Sequence, residues 1–105
     1  MSGYKLFFDT SDRFMITVRL FKNTKLVAQI TRRQKFTSQV LLPVIIQVCQ
    51  DSNISLKEIE AVEINPGPGS YTGLKVGCAV ANCLSWYLKI PVNGWQNKIV
   101  IPVFE

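Results

Sequence analysis

The 105-residue sequence predicts an α/β domain built on a mixed five-stranded sheet, with its elements in the order β-β-β-α-β-α-β. Three observations predict this fold. Three runs rich in β-branched and aromatic residues occupy the first third of the chain and are separated by short polar turns. Two later stretches repeat apolar residues at helical spacing. A short apolar run follows each helical stretch, so helical crossovers would add parallel strands to an antiparallel meander.

The first three strands are predicted over residues 4–9, 14–21 and 25–31. The segments YKLFFD and FMITVRLF have the composition of buried strands, whereas KLVAQIT alternates apolar and polar residues like a half-exposed strand. The turn between the second and third strands is Lys22-Asn23-Thr24, which is short enough to keep neighbouring strands antiparallel.

The first helix is predicted from a cap at Thr37 or Ser38 to about residue 52, with Pro43 in its second turn. One apolar stripe at helical spacing accounts for packing on the sheet: Val40, Leu41, Val44, Ile45, Val48 and Cys49. Leu42 and Ile46 lie roughly 140° around the helix from that stripe. This second apolar face predicts a further contact.

A capping box of the form S-x-x-E, from Ser55 to Glu58, predicts a short helical turn before a strand over residues 61–64. A second helix is predicted over residues 72–88 and a fifth strand over residues 90–92. The tail NKIVIPVFE could add a sixth strand, which Pro102 would restrict to an edge. This order predicts a ribonuclease-H-like or actin-like half-domain, with residues 1–105 forming one domain.

The segment NPGPGSYTGLKVG, residues 65–77, does not match the P-loop, which requires Lys and Ser or Thr directly after its last glycine. It also has one residue too many for the dinucleotide-binding G-x-G-x-x-G pattern. The loop does open a helix, where free N–H groups could hold an anion or a nucleotide. The candidate contacts for such a ligand are Asp9, Gly67, Gly69 and Ser70.

The favoured interpretation of this segment is geometric. Ser70 or Thr72 would cap the second helix, and Gly73 and Gly77 would let it approach the sheet or another helix closely. Ser70 and Thr72 are disfavoured as nucleophiles because the sequence has no histidine to act as a base.

The opposite face of the second helix carries an outward tryptophan, the residue type that most often anchors interfaces. Together with the second apolar face of the first helix, it predicts a partner-binding surface that consists of Leu42, Ile46, Lys75, Ala79, Asn82, Cys83 and Trp86.

Composition excludes several classes of site. Without histidine, the chain has no imidazole base or imidazole metal ligand, and we expect no catalytic residue, metal or cofactor. The three cysteines form no C-x-x-C pair, and we interpret them as buried, reduced thiols of a cytoplasmic protein. We expect no membrane span, because no apolar run reaches about 18 residues. We expect no signal peptide either, because the N-terminus has an acidic residue by position 9 and no long apolar segment.

The net charge of +5 is unevenly distributed. Residues 1–35 hold eight of the twelve cations against Asp9 and Asp12, a balance of +6, whereas the remainder of the chain balances at −1. A basic first third could face a nucleic acid. The alternative interpretation is a charged sheet edge that keeps the protein soluble and resists strand addition.

Four segments resemble the bacterial TsaB (YeaZ) family, in the family's order, over residues 4–94: FFDTSD, SQVLLPVI, LKEIEAVEINPGPGSYTGLKVGCAVAN and IPVNG. The most specific is GPGSYTGLKVG, where family members typically have GPGSFTGLRIG. The resemblance implies the actin-like (ASKHA) fold and a role in making N6-threonylcarbamoyladenosine at position 37 of tRNA.

The resemblance also implies partners. Family members are usually not the catalyst, and they pair with the related subunit TsaD through two helices, which correspond here to residues 37–52 and 72–88. The ATPase TsaE joins them, the same surface supports homodimers, and contact with tRNA would be indirect. The lack of histidine excludes TsaD itself, whose metal site needs that residue.

Three departures from the family pattern bear on these expectations. Family members usually continue into a second domain, the family's helix-start histidine is replaced around Phe36-Thr37, and its Ala-Lys-Gly reads Ala81-Asn82-Cys83. Two alternatives to a scaffold also stay open. One is a small nucleotide-binding or peptidase-like actin-fold protein that acts alone through Asp9 and the glycine loop, and the other is a basic RNA-binding module.

Overall fold

The sheet of the domain is assembled from a meander and one crossover. A computed structural model describes residues 3–33, 37–94 and 99–103. Strands β1 (Tyr4–Asp9), β2 (Met15–Lys22) and β3 (Lys25–Arg33) pair antiparallel in chain order. Strand β4 (Ile59–Ile64) pairs in parallel with β1, which gives the order β3-β2-β1-β4 across the sheet. The predicted mixed α/β sheet is confirmed.

Two helices connect and follow the strands. Helix α1 (Thr37–Asp51) runs through Pro43, and helix α2 (Tyr71–Leu88) follows the glycine loop. Between α1 and β4, the predicted capping box begins a 3₁₀ helix, Leu56–Glu58. The Lys57 N–H donates to Ser55 Oγ at 3.3 Å, and the Ser55 N–H donates to Glu58 Oε2 at 2.7 Å. In the described part of the chain, neither helix is long and apolar enough to cross a bilayer.

The strand boundaries lie within two residues of the predicted ones. β1 matches its prediction at both ends, β2 is shifted by one residue, β3 extends to Arg33, and β4 begins at Ile59. The tight turn between β2 and β3 places Asn23 in the left-handed region at φ 57°. Asparagine tolerates that conformation better than most residues, which explains why this short turn can reverse the chain.

The prediction of a full fifth strand over residues 90–92 is wrong. Only Val92 pairs with the sheet, through a single parallel bridge to Val62 on the outer side of β4. Pro91 has no N–H to extend the ladder, and the left-handed residues Asn93 (φ 49°) and Gly94 (φ 78°) turn the chain away. Of the possible sixth strand over residues 97–105, residues 99–103 form no strand, and the other positions lie outside the described residues. The described residues therefore contain a four-stranded sheet.

The core lies on one face of the sheet, beneath both helices. Alternate strand residues point into it, and the buried stripes of α1 and α2 close it from above. Cys49 and Cys78 belong to this core, as expected, whereas Cys83 is exposed and corrects the interpretation of three buried thiols. The strand residues of the core are Leu6, Phe8, Ile16, Val18, Leu20, Ile59, Val62 and Ile64.

Candidate partner-binding surface and glycine loop

Two glycines allow helix α2 to lie directly against the end of β1. The Thr10 hydroxyl, buried under the helix, donates to the Gly73 carbonyl at 2.7 Å. A Cβ at Gly73 would lie within 3.0 Å of the Thr10 carbonyl oxygen, and a Cβ at Gly77 within 3.0 Å of the Thr10 hydroxyl. The expected close approach of this helix to the sheet is therefore confirmed, and Thr10 is the residue that it approaches.

The loop before α2 is tied to the residues that follow β1. The Ser70 N–H donates to the Ser11 carbonyl at 2.7 Å, and a Cβ at Gly69 would lie within 3.0 Å of that same oxygen. Ser70 also caps α2, because its hydroxyl accepts the Gly73 N–H at 3.4 Å. Of the two predicted caps, Ser70 is therefore the one used.

Asp9 lies at the centre of this junction. One carboxylate oxygen accepts the Ser11 N–H at 2.9 Å and the Ser11 hydroxyl at 2.6 Å. The other accepts the Asn65 amide at 3.4 Å, and that amide also lies 3.2 Å from the Ser11 hydroxyl. Asn65, which the sequence did not single out, joins the two segments. Through these hydrogen bonds, Asp9 links the end of β1 to the loop before α2.

The residues predicted to contact an anion or nucleotide are only partly brought together. Asp9, Gly69 and Ser70 meet around Ser11, whereas Gly67 packs against the backbone of Val103. The N–H groups of Ser70 and Gly73 already donate within the chain. Among the described residues, no three acids or cysteines lie close enough together to hold a metal ion.

Six of the seven residues predicted to bind a partner are exposed. On α1, Leu42 is 45% and Ile46 44% exposed, although both are aliphatic and flank a buried stripe. On α2, Trp86 is 82% exposed. The remaining exposed members lie on the same side of α2 as Trp86: Lys75, Ala79 and Cys83. These six residues are called the helical face below.

The seventh predicted residue has a different role. Asn82 is half-buried, and its side chain bonds to a later segment of the same chain. Its amide donates to the Val100 carbonyl at 2.9 Å and its carbonyl oxygen accepts the Val100 N–H at 2.8 Å. Asn82 therefore borders the helical face and, through both of its polar groups, holds residues 99–103 against α2.

Two exposed aromatic residues of α2 were missed by the sequence analysis. Tyr71 and Tyr87 are 61% and 65% exposed, and the Lys75 ammonium lies 5.1 Å from the centre of the Tyr71 ring. The spacing of four residues between Tyr71 and Lys75 could have indicated this contact. With Trp86, three aromatic side chains of one helix are exposed.

The two buried thiols have raised pKa values and low reactivity. Burial raises the pKa of Cys49, and the negative charge of Glu58 raises it further. Burial also raises the pKa of Cys78. Because the thiolate is the reactive form, both side chains stay neutral and inert at neutral pH.

Comparisons with known proteins agree with this architecture. The family model described as "TsaD: tRNA N6-adenosine threonylcarbamoyltransferase" matches residues 26–97. A similar relative is the tRNA threonylcarbamoyladenosine biosynthesis protein TsaB of Bacillus subtilis, which is 30% identical over 85 residues. That match covers 81% of this chain and 37% of the relative, so the chain spans little more than a third of the relative's length.

Two solved structures show the same fold. YeaZ from Pseudomonas aeruginosa superposes with a TM-score of 0.78 at 24% identity, over 86% of this chain and 42% of that one. A Bacteroides thetaiotaomicron protein described as having an actin-like ATPase fold and unknown function superposes with a TM-score of 0.55 at 11% identity, over 87% and 32% of the two chains. The predicted actin-like fold is confirmed.

Proposed function

The chain belongs to the TsaB (YeaZ) family, and we propose that it is a non-catalytic subunit of the complex that makes N6-threonylcarbamoyladenosine in tRNA. In this proposal the helical face docks on TsaD and holds that catalytic subunit in its active arrangement. TsaE joins the assembled pair in the cytoplasm, and two copies pair through the same face when TsaD is absent.

The observation that carries the proposal is the exposure of apolar side chains on both helices. Leu42 and Ile46 lie outside the stripe that packs on the sheet, and Trp86 projects from α2 with most of its surface accessible. Burying such side chains against a partner gains about 25 cal/mol for each Å² of apolar surface. Tryptophan is among the residues that most often dominate interface energies. A protein partner is the occupant that this surface fits best.

The junction beneath α2 explains how docking could be precise. Thr10, Gly73 and Gly77 fix the distance between α2 and the sheet. The hydrogen bond from the Ser70 N–H to the Ser11 carbonyl fixes the start of the helix. A helix held at several points presents its exposed side chains with little freedom to lose on binding. In this proposal Asp9 and the glycine loop therefore support the docking helix rather than a reaction.

The test is co-purification with cognate TsaD. Ala79 lies in the helical face with a small, exposed side chain. Ala79→Arg should abolish co-purification, because it places a long charged side chain between two apolar surfaces. The matched control is Thr24→Arg, which adds the same side chain to the exposed β2–β3 turn. Retention of TsaD by Ala79→Arg, at the level of the control, would refute the proposed face.

A second candidate function has one observation in its favour. Asp9, Gly69 and Ser70, predicted from the sequence to contact a nucleotide, meet at the start of α2. A nucleotide-handling protein that acts alone would use this junction. It should turn over ATP in the absence of TsaD, and Asp9→Ala should remove that turnover. If the chain is a scaffold, neither the unsubstituted protein nor the Asp9→Ala variant should turn over ATP.

A further inference from the structure

The face of the sheet opposite the helices carries aromatic and cationic side chains. On β1, Lys5 and Phe7 alternate with the buried Leu6 and Phe8, so they point away from the core. Lys5 lies opposite Phe21 of β2, and Phe7 lies opposite Arg19. The two phenylalanines are therefore diagonal neighbours on an open surface, each beside a cation.

A concavity of about 300 Å³ lies between these side chains. Phe7 and Phe21 form its apolar part, and Asn23 and Thr24 of the β2–β3 turn close one end. Both phenylalanines are half-buried, so part of each ring remains accessible. The volume is at the small end of the range for ligand pockets, which suits a planar group such as a nucleobase.

The open face carries charges of both signs. Its strand cations, placed by alternation and pairing, are Lys5, Arg19 and Arg33. Its carboxylates are those of Asp9 and of Glu63, which also lines the concavity. Lys5 forms an ion pair with Glu63 of β4 at 2.6 Å. Arg19 instead donates to the neutral Gln29 side chain at 2.7 Å and lies 5.6 Å from the centre of the Phe7 ring. Within the described part of the chain, no carboxylate pairs with Arg19.

We propose that this face, defined by Lys5, Phe7, Arg19 and Phe21, binds single-stranded RNA. Unpaired bases stack on aromatic side chains exposed on a sheet, and arginine and lysine neutralise the phosphates between them. The uncompensated charge of Arg19 is complementary to a phosphate, and its guanidinium plane can itself stack on a base. The choice of RNA rests on the proposed function, whose substrate is a tRNA with an unpaired loop.

This surface and the helical face lie on opposite sides of the sheet. RNA and TsaD could therefore be bound at the same time, and each interaction has its own test. A chain that binds TsaD but not RNA would refute this inference alone. A chain that binds RNA but does not bind TsaD would refute the docking proposal alone.

The test is fluorescence anisotropy with a labelled single-stranded RNA of about 12 nucleotides, compared with the same RNA annealed into a duplex. The single strand should bind more tightly, and its affinity should fall as salt rises from about 50 to 200 mM. Arg19→Gln and Phe21→Leu should each weaken binding about tenfold, since one removes a phosphate contact and the other a stacking surface.

The control is Lys57→Glu, a charge change in the exposed 3₁₀ helix on another part of the surface. It should leave RNA affinity within about twofold, because a stacking site depends on its own residues more than on net charge. Circular dichroism would establish that each variant is folded. Equal affinity for duplex and single strand, undetectable RNA binding, or equal losses in Arg19→Gln and Lys57→Glu would each overturn the proposal.

Discussion

Thr10 is the residue that relates the end of β1 to the position of α2. It is the one polar side chain in the described core with almost no exposure, 2%. Its hydroxyl bonds to Gly73 and fills the space beside Gly77. Glycine costs about 1 kcal/mol relative to alanine within a helix. The contact with Thr10 explains why two glycines are nevertheless tolerated in the first two turns of α2.

We predict that Gly77→Ala lowers the free energy of unfolding by about 1–3 kcal/mol, despite its better helix propensity, because the new methyl group overpacks against the Thr10 hydroxyl. Denaturant unfolding followed by circular dichroism would measure the change. A stabilised Gly77→Ala variant would contradict the account.

The matched test is a double-mutant cycle with Thr10→Ala. That substitution alone should be destabilising, since it leaves the Gly73 carbonyl without its buried donor. In the double variant the nearest remaining atom of residue 10 would be its Cβ, 3.4 Å away, which is an ordinary contact. The two losses should therefore sum to more than the loss in the double variant, by about 1 kcal/mol. Simple additivity would show that the two positions do not interact.

The buried thiols predict a pH dependence of stability. Their pKa values are raised in the folded state by burial, with a further contribution from Glu58 at Cys49. The unfolded chain therefore loses these protons first as the pH rises. The stability that they contribute is complete below the unfolded thiol pKa of about 8.5 and is lost as the pH approaches the folded value.

The measurement is the free energy of unfolding between about pH 7 and pH 10, under reducing conditions. It should decrease above about pH 8.5 in the native sequence, and the decrease should be smaller in a Cys49→Ala, Cys78→Ala variant. Cys83, which is exposed, should react with a thiol reagent before the other two. An equal decrease with and without the buried thiols would contradict the prediction.

At the scale of the element, helix α2 ends at a strained residue. Lys89 closes the helix in the left-handed conformation, at φ 58° and ψ 48°. A side chain in that region costs about 1–2 kcal/mol, a cost that glycine avoids. Lys89→Gly should therefore raise the free energy of unfolding by about 0.5–1 kcal/mol. Lys89→Ala removes the same charge but keeps the strain, so a gain in both variants would refute this explanation.

A substitution at Trp86 distinguishes an effect on binding from an effect on folding. Because it is mostly exposed, Trp86→Ala should change the free energy of unfolding by no more than about 0.5 kcal/mol. If the helical face docks on TsaD, the same variant should weaken that complex by about 2 kcal/mol, or roughly thirtyfold. Calorimetric titration would measure the affinity, with the neighbouring Tyr87→Ala as the matched control. Comparable losses in both variants would point to a different face.

The elements could be predicted from the sequence because their patterns are local. Composition rich in β-branched and aromatic residues identified the first two strands, alternation identified the third, and helical repeats identified both helices. Ser55 and Glu58 identified the capping box. The fifth strand could not be predicted correctly. Its pairing depends on the missing N–H of Pro91 and on the backbone of Asn93, which end the ladder after one bridge.

Contacts between distant segments could not be predicted from the sequence patterns. The Thr10–Gly73 bond joins positions 63 residues apart, and the two Asn82–Val100 bonds join the side of a helix to a segment without regular structure. Spacing along α2 correctly placed Ala79 and Trp86 on an exposed side. It could not show that Asn82, close to that side, would bond to the chain itself.

At the scale of the whole molecule, the sheet separates two surfaces of different chemistry. The helices on one side expose aliphatic and aromatic side chains, and the strands on the other side expose phenylalanine with arginine and lysine. Both surfaces belong to a chain that spans about two-fifths of the YeaZ structure that it resembles. Under the two proposals, the helical side would bind a protein partner and the strand side would bind RNA.

The most direct test of the docking claim is size-exclusion chromatography with light scattering, on the chain alone and mixed with cognate TsaD. The account predicts the mass of two chains for the protein alone and the mass of a one-to-one complex in the mixture. Two separate peaks in the mixture, together with the mass of a single chain for the protein alone at every concentration, would contradict it.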